Sequence, residues 1–290
     1  MAEGQKKLPL TNVQRAYMIG RTSTFELGGC STHVYYEFEN DLDPERFYKA
    51  LNEVISEQQM LRAVINSQGE ETILDEVPYY SPEVMDWSDK SESETEKLTD
   101  EMRKAYSHEV MPSDKWPLFR FEFAKLPSGR YRLFAGFDLL VVDAGSFAAL
   151  GKELHCKYSG EKTDVPVGSF EKYLQLLDTR KTKKKYLSDR KFWEEAAEDM
   201  PPAPSLPVLS ADTVGNNVFR RKQFFIDSDT WSRTKEALSG MNVSSTVGVL
   251  ACYSAVLGSR CTEDRFTLNL PMTNLIRRKK EMERVLGDFT

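Results

Sequence analysis

Asp138-Leu139-Leu140-Val141-Val142-Asp143-Ala144-Gly145-Ser146 is the stretch on which the fold turns. Upstream, residues 119–126 and 130–138 flank Pro127-Ser128-Gly129, which predicts a β-hairpin. Downstream, Phe147, Leu150, Leu154 and Tyr158 recur at helical spacing, so a helix follows. The stretch is therefore a strand–loop–helix passage, a common place to present reactive side chains. Its two aspartates stand five apart around an apolar Leu-Leu-Val-Val segment, too few and too isolated for a metal site. Buried, they need ionic or backbone N–H partners.

The same alternation of strands and helices extends in both directions. Thr11-Asn12-Val13-Gln14 reads as a capping box opening a helix that ends near Gly20-Arg21. Residues 32–38 alternate as a strand, and Asp43-Pro44 starts a helix to about Glu57 with Phe47, Leu51, Val54 and Ile55 as its apolar stripe. Short strands at 63–66 and 71–77 meet at Gln68-Gly69, and the acidic, Ser-rich residues 86–101 read as a solvated amphipathic helix. A helix over 169–178 precedes the basic run 180–185, which begins another helix carrying Phe192 and Trp193. Beyond the Pro-rich 200–207 segment the pattern predicts a strand (219–226), helices (228–239 and 245–258) and a strand (265–270). The mixture recurs on both sides of residue 180, which implies an α/β protein of mixed sheets in two lobes.

At 290 residues, with 40% apolar and 11% aromatic side chains, the chain has material for one large core or two ordinary ones. A net charge of −6 argues against a nucleic-acid partner. No apolar run reaches the ~18 residues of a membrane span, and no apolar segment follows the N-terminal lysines as a signal would require. A soluble, cytoplasmic protein is expected. Cys30, Cys156, Cys252 and Cys261 form no CxxC pair, and Cys156 and Cys252 are expected in the core. His33, His108 and His155 accompany no nucleophile motif, and neither GxGxxG nor a Walker loop is present. No bound cofactor or metal is expected.

Five ordered blocks resemble the heterocyclization domains of nonribosomal peptide synthetases. Residues 8–17 with Gly20-Arg21 are similar to the family's opening LTxxQxAYxxGR. Met60-Leu61-Arg62-Ala63 resembles HxMLRA, with Gln59 at the usual His. Residues 138–146 match DxxxxDxxS, residues 200–207 resemble LPxxPxLP, and residues 266–270 with Gly287-Asp288-Phe289-Thr290 resemble FTLNL…GDFT. The Arg that follows Asn in the family's NLTLFNR stretch is Leu275 here, after Asn274; Arg277 or Arg278 stand as substitute ionic partners for the Asp motif.

The resemblance implies a chloramphenicol-acetyltransferase-like fold of two lobes with a tunnel between them. Residues 1–180 would be the N-terminal lobe and residues 181–290 a partial C-terminal lobe. Upstream and downstream peptidyl carrier domains would deliver substrates on phosphopantetheine arms, the domain itself binding no cofactor and no membrane. The reaction would join a carrier-bound acyl or peptidyl thioester to carrier-bound Cys, Ser or Thr, then cyclodehydrate to thiazoline or oxazoline. Asp138, Asp143 and Ser146 are the candidate reaction-centre residues, with Tyr17 and Arg21 as candidate tunnel residues. The aspartates fix the loop or do acid–base work, Ser146 caps the helix or lines the tunnel, and Tyr17 lines the tunnel or belongs to the core. Arg21 contacts substrate or forms an ion pair. Amide-forming relatives carry HHxxxDG, whose second His aligns with Leu139. Orientation alone can supply ~7–11 kcal/mol of a barrier, so an uncharged amine can attack without that base. The family's dehydration residues lie beyond GDFT, so this chain alone is expected to make no azoline. A non-catalytic carrier-docking lobe pair is the competing expectation.

Overall fold

The computed structural model describes residues 5–24, 28–161, 166–209, 222–274, 276 and 279–290. The chain opens β1 (Lys6–Pro9), α1 (Asn12–Gly20), β2 (His33–Asn40), α2 (Pro44–Glu57), β3 (Ala63–Ile65), β4 (Glu70–Ile73) and β5 (Met85–Asp86). It continues α3 (Glu92–Tyr106), β6 (Phe119–Lys125), β7 (Tyr131–Asp138), α4 (Ala144–Ser159) and α5 (Phe170–Lys181). Three further helices follow: α6 (Lys184–Ala197), α7 (Ser228–Gly240) and α8 (Ser245–Gly258). Contacts divide the chain into two units, Met1–Lys183 with Met272–Thr290, and Lys184–Pro271.

In the first unit the expected hairpin of β6 and β7 forms the middle of a sheet ordered β2-β7-β6-β5. Gly129, at φ 80°, supplies the left-handed turn residue that closes it. Phe119, Phe121 and Phe123 point to one face with Leu133, Ala135 and Phe137, and together they join the main core with α2 and α4 residues such as Leu51, Ile55 and Leu150. The opposite face, including Phe134 and Trp87, is covered by Leu98, Met102 and Tyr106 of α3. β7 is thus central and covered on both sides, so its last six residues are all buried rather than alternating. A second antiparallel sheet, β1-β4-β3, carries Leu8, Ile65 and Ile73 into the same core.

The helix starts follow their local signals. Thr11 and Gln14 form the capping box of α1, and Asp43 caps α2 ahead of Pro44. Met60 and Leu61 are buried in a 3-10 turn after α2, and Arg62 donates to the carbonyls of Ile55 and Asp75 at 3.1 Å each.

Three expectations need correction. Lobes of 1–180 and 181–290 are expected, whereas by contacts residues 272–290 group with Met1–Lys183 rather than with Lys184–Pro271. They return because Ile276, Met282, Val285, Leu286 and Phe289 are all buried in the first unit's core. Secondly, residues 222–226 and 265–270 are irregular, not strands; residues 219–221 of the first expected strand lie outside the described residues. A strand exists only by pairing, and the 265–270 segment instead bonds to the Pro-rich stretch, Thr267 donating to Pro202 O at 2.8 Å. Thirdly, Cys252 is exposed on α8 and Cys156 is half-buried, so neither is a full core residue.

In the second unit, α8 is apolar by composition, yet Val247, Val249, Tyr253 and Val256 are exposed. Phe224 and Phe225 are also exposed. Among the described residues no single helix is long and apolar enough to cross a membrane.

Candidate functional site

One face of α1 organises the quoted loop. Gln14, Tyr17 and Arg21 stand at i, i+3 and i+7, which a 3.6-residue helix places in one line. At the far end, the Arg21 guanidinium pairs with the Asp138 carboxylate, the side chains being 9% and 1% exposed. It also donates to Met111 O at 2.7 Å and to Ser31 Oγ at 3.2 Å. Asp138 accepts in addition from the Ser31 hydroxyl at 2.7 Å and from the Leu140 N–H at 3.0 Å. Burial pulls the Arg21 guanidinium down to about 10, which leaves it charged at neutral pH. At the near end, the Gln14 amide donates to Leu140 O at 2.8 Å. The loop is held from one side by a single helix face.

The other side is held by residues 284–290. Asp143 caps α4 through the Ser146 N–H at 2.6 Å and accepts from the Phe289 N–H at 3.2 Å. Its own N–H donates to Gly287 O at 3.0 Å. The Ser146 hydroxyl donates to Gly287 O at 2.7 Å and accepts the Gly287 N–H at 3.1 Å. Further along, the Gln58 amide donates to Arg284 O at 2.7 Å and accepts from Leu286 N–H at 3.2 Å. Arg284 adds a two-pronged pair with the buried Glu153 of α4, one arm at 2.6 Å. Replacing Ser146 with alanine should therefore destabilise the first unit by about 1–2 kcal/mol, because the Gly287 N–H loses its acceptor while Gly287 O keeps only the Asp143 N–H. A denaturation midpoint equal to wild type would remove this latch from the account.

Asp288 lies in the same neighbourhood. It is buried, accepts from Thr290 N–H at 2.9 Å, and its Oδ2 has no hydrogen-bond partner. Burial, and more weakly the Asp143 charge, raise its pKa. Tyr17 packs half-buried against the main core, and its phenol pKa is raised by burial and, after that, by the Asp288 and Asp143 charges.

Four of the five residues singled out in the sequence, Arg21, Asp138, Asp143 and Ser146, are joined to one loop, and Tyr17 packs against the core beside α1's other residues. Asp138, Asp143 and Ser146 are buried with their polar atoms engaged, and Arg21 is committed to an ion pair. The ionic partner sought after Asn274 is Arg21 for Asp138, while Asp143 is served by backbone N–H groups. Leu275, Arg277 and Arg278 lie outside the described residues. Ser146 is not the helix cap; Asp143 is. Sequence reasoning missed Gln14 beyond its cap, together with Ser31, Glu71 and Glu153. The spacing of Gln14 and Arg21 was a usable signal; the Glu153–Arg284 pair, 131 residues apart, offered none.

Residues 4–290 match the family model for the condensation domain. The chain belongs to the condensation-domain family. Among relatives of this condensation domain, bacitracin synthase 1 of Bacillus licheniformis is 29% identical over 285 residues, 97% of this chain and 5% of its own length. Pyochelin synthetase PchF of Pseudomonas aeruginosa is 29% identical over 98% of this chain and 16% of its own. Phenyloxazoline synthase MbtB of Mycobacterium sp. (strain MCS) is 28% identical over 97% and 24%. The EpoB cyclization-docking bidomain of a Sorangium cellulosum nonribosomal peptide synthetase superposes with TM-score 0.84 at 29% identity, covering 97% of this chain and 58% of that one. The nonribosomal peptide synthetase FmoA3, at 23% identity, shares the fold with TM-score 0.79 over 99% of this chain and 30% of its own. The heterocyclization-type resemblance and the chloramphenicol-acetyltransferase-like fold read from the sequence agree with these matches. The chain spans under a quarter of the curated relatives just named and somewhat over half of the EpoB structure.

Proposed function

We propose that this condensation domain is of the heterocyclization type within a nonribosomal peptide synthetase. An upstream peptidyl carrier domain presents an acyl or peptidyl thioester, and a downstream one presents Cys, Ser or Thr, both on phosphopantetheine arms. The acceptor amine attacks the thioester carbon, the C–N bond forms, and the donor arm leaves as its thiol. The acceptor's SH or OH then adds to the new amide carbonyl, and the carbonyl oxygen departs as water to leave the C=N bond of a thiazoline or oxazoline.

The observation that carries this reading is the loop itself. Leu139 stands where amide-forming domains have a histidine, and a leucine moves no proton, so the first step relies on orientation. The loop's defined residues are buried and bonded to protein groups, which suits positioning rather than contact with substrate. Asp138, Asp143 and Ser146 are accordingly positioning residues, with Arg21 at the end of α1 bracing Asp138. Kinship with a phenyloxazoline synthase and a cyclization-docking bidomain supports the ring-forming half.

The test mixes the native synthetase carrying this domain with an acyl-loaded upstream carrier and a cysteinyl-loaded downstream carrier. The tethered product should lose one water beyond amide formation, with the ring confirmed by fragmentation. Amide without water loss would reduce the activity to plain condensation. Carrier binding with no new bond would favour a docking role.

A further inference from the structure

An acid stands on the inner face of β4 among aliphatic neighbours. Glu71 is fully buried, and its cross-strand partners are Leu8 on β1 and Ile65 on β3. Opposed residues in antiparallel pairs share a face, so the carboxyl is flanked by two apolar side chains. Its Oε1 accepts from the Gln14 amide at 3.0 Å, and its Oε2 is buried with no hydrogen-bond partner. The second Gln14 N–H goes to Leu140 O at 2.8 Å, while Gln14 Oε1 accepts the Thr11 N–H at 2.8 Å. Every polar atom of that amide is thereby in use. Leu140 is then held at both polar atoms: its N–H by Asp138, itself paired with Arg21, and its carbonyl by Gln14 of α1.

Charged groups on the surrounding elements are engaged elsewhere. From β1, Lys6 pairs with Glu171 and Lys7 with Glu70. On the loop, Asp138 is taken by Arg21, and Asp143 by backbone N–H groups. Arg15 of α1 is exposed, and β3 contains only Ala63, Val64 and Ile65. Burial without a cationic partner pushes the Glu71 carboxyl up to about 8, the Gln14 bond opposing this only in part.

We infer that Glu71 is a positioning residue: its buried carboxyl orients the Gln14 amide, which fixes the Leu140 carbonyl and with it the loop from Asp138 to Asp143. Neither residue touches the reacting atoms. Because the folded pKa lies above the unfolded one, the contribution is full below the unfolded value of 4.5 and declines as pH rises toward about 8. Loss of the proton strengthens the Gln14 bond but leaves an unpaired charge in an apolar slot, a larger cost that the slot relieves by opening, and that opening loosens the hold on Leu140. The inference concerns the loop's geometry and is independent of the ring chemistry proposed above.

Two measurements on the purified chain test it. Infrared difference spectra across pH about 8 should show a buried protonated-carboxyl band disappearing in wild type and absent from Glu71→Gln. Amide hydrogen exchange at Val141, Val142 and Asp143, corrected for its intrinsic pH dependence, should lose protection over the same range in wild type. Protection should stay level in Glu71→Gln and be lost at every pH in Gln14→Ala. A carboxyl already ionised at neutral pH, read on wild type alone, overturns the inference. So does a Glu71→Gln variant that keeps the wild-type exchange profile, or a Gln14→Ala variant with undiminished loop protection.

Discussion

Changing Arg21 to alanine should lower the stability of the first unit by about 3–5 kcal/mol, the range for stripping one partner from a buried ion pair. For a unit of this size that corresponds to a fall of roughly 10 °C in melting temperature. Asp138 would keep the Ser31 hydroxyl and the Leu140 N–H, but two neutral donors do not balance a carboxylate that is 1% exposed. The loss should hold at high salt, since a buried pair is screened far less than a surface one. Removing both charges with Arg21→Met and Asp138→Leu should recover much of the stability, because the penalty belongs to the unpaired charge rather than to the absent pair. A drop below about 1 kcal/mol for the single variant would mean that the pair behaves as a surface bridge, against its burial.

Gly287→Ala is the second large effect. A Cβ there would lie 2.3 and 2.4 Å from two ring carbons of Phe170, and φ is 157°. Phe170 has nowhere to retreat: it is fully buried and makes edge contacts with Phe289 at 5.7 Å. Overpacking of about 1–3 kcal/mol adds to weakened bonds between Gly287 and Ser146, for a total of about 3 kcal/mol. Residues 282–290 should exchange amide hydrogens faster and the melting temperature should fall. Phe170→Leu in the same chain should give back part of the loss, a coupling that independent sites do not show. Additive effects in that double variant would place the strain elsewhere.

Much of the first unit was legible because its signals are local. Thr11 with Gln14 and Asp43 with Pro44 each fix a helix start within four residues, and Ser128-Gly129 fixes a hairpin. The loop motif could be found for the same reason. What the motif does could not be read, since its partners are far away in sequence: Arg21 is 117 residues from Asp138, and Phe289 is 146 from Asp143. The expected strands at 222–226 and 265–270 failed for a related reason. Alternation marks a segment that suits pairing, while pairing itself depends on another segment being beside it. Glu71 falls in a segment expected as a strand, and the apolar flanks of β1 and β3 show that its face is the inner one.

The return of residues 272–290 to the first unit sets a timetable for biosynthesis. The ribosome delivers α5 and then about a hundred further residues before Phe289, whose ring packs against Phe170 and Tyr173. At translation rates of about 5–20 residues per second, that interval lasts roughly 5–20 seconds. Through it, the slots for Met282, Val285, Leu286 and Phe289 stand open, and Asp143, Ser146 and Glu153 have yet to meet their partners. The nascent first unit is thus a half-closed intermediate with exposed aromatic surface, the kind of species that chaperones engage. Vectorial folding here is not simply N-terminal part first: the second unit is threaded out and must emerge before the first can lock.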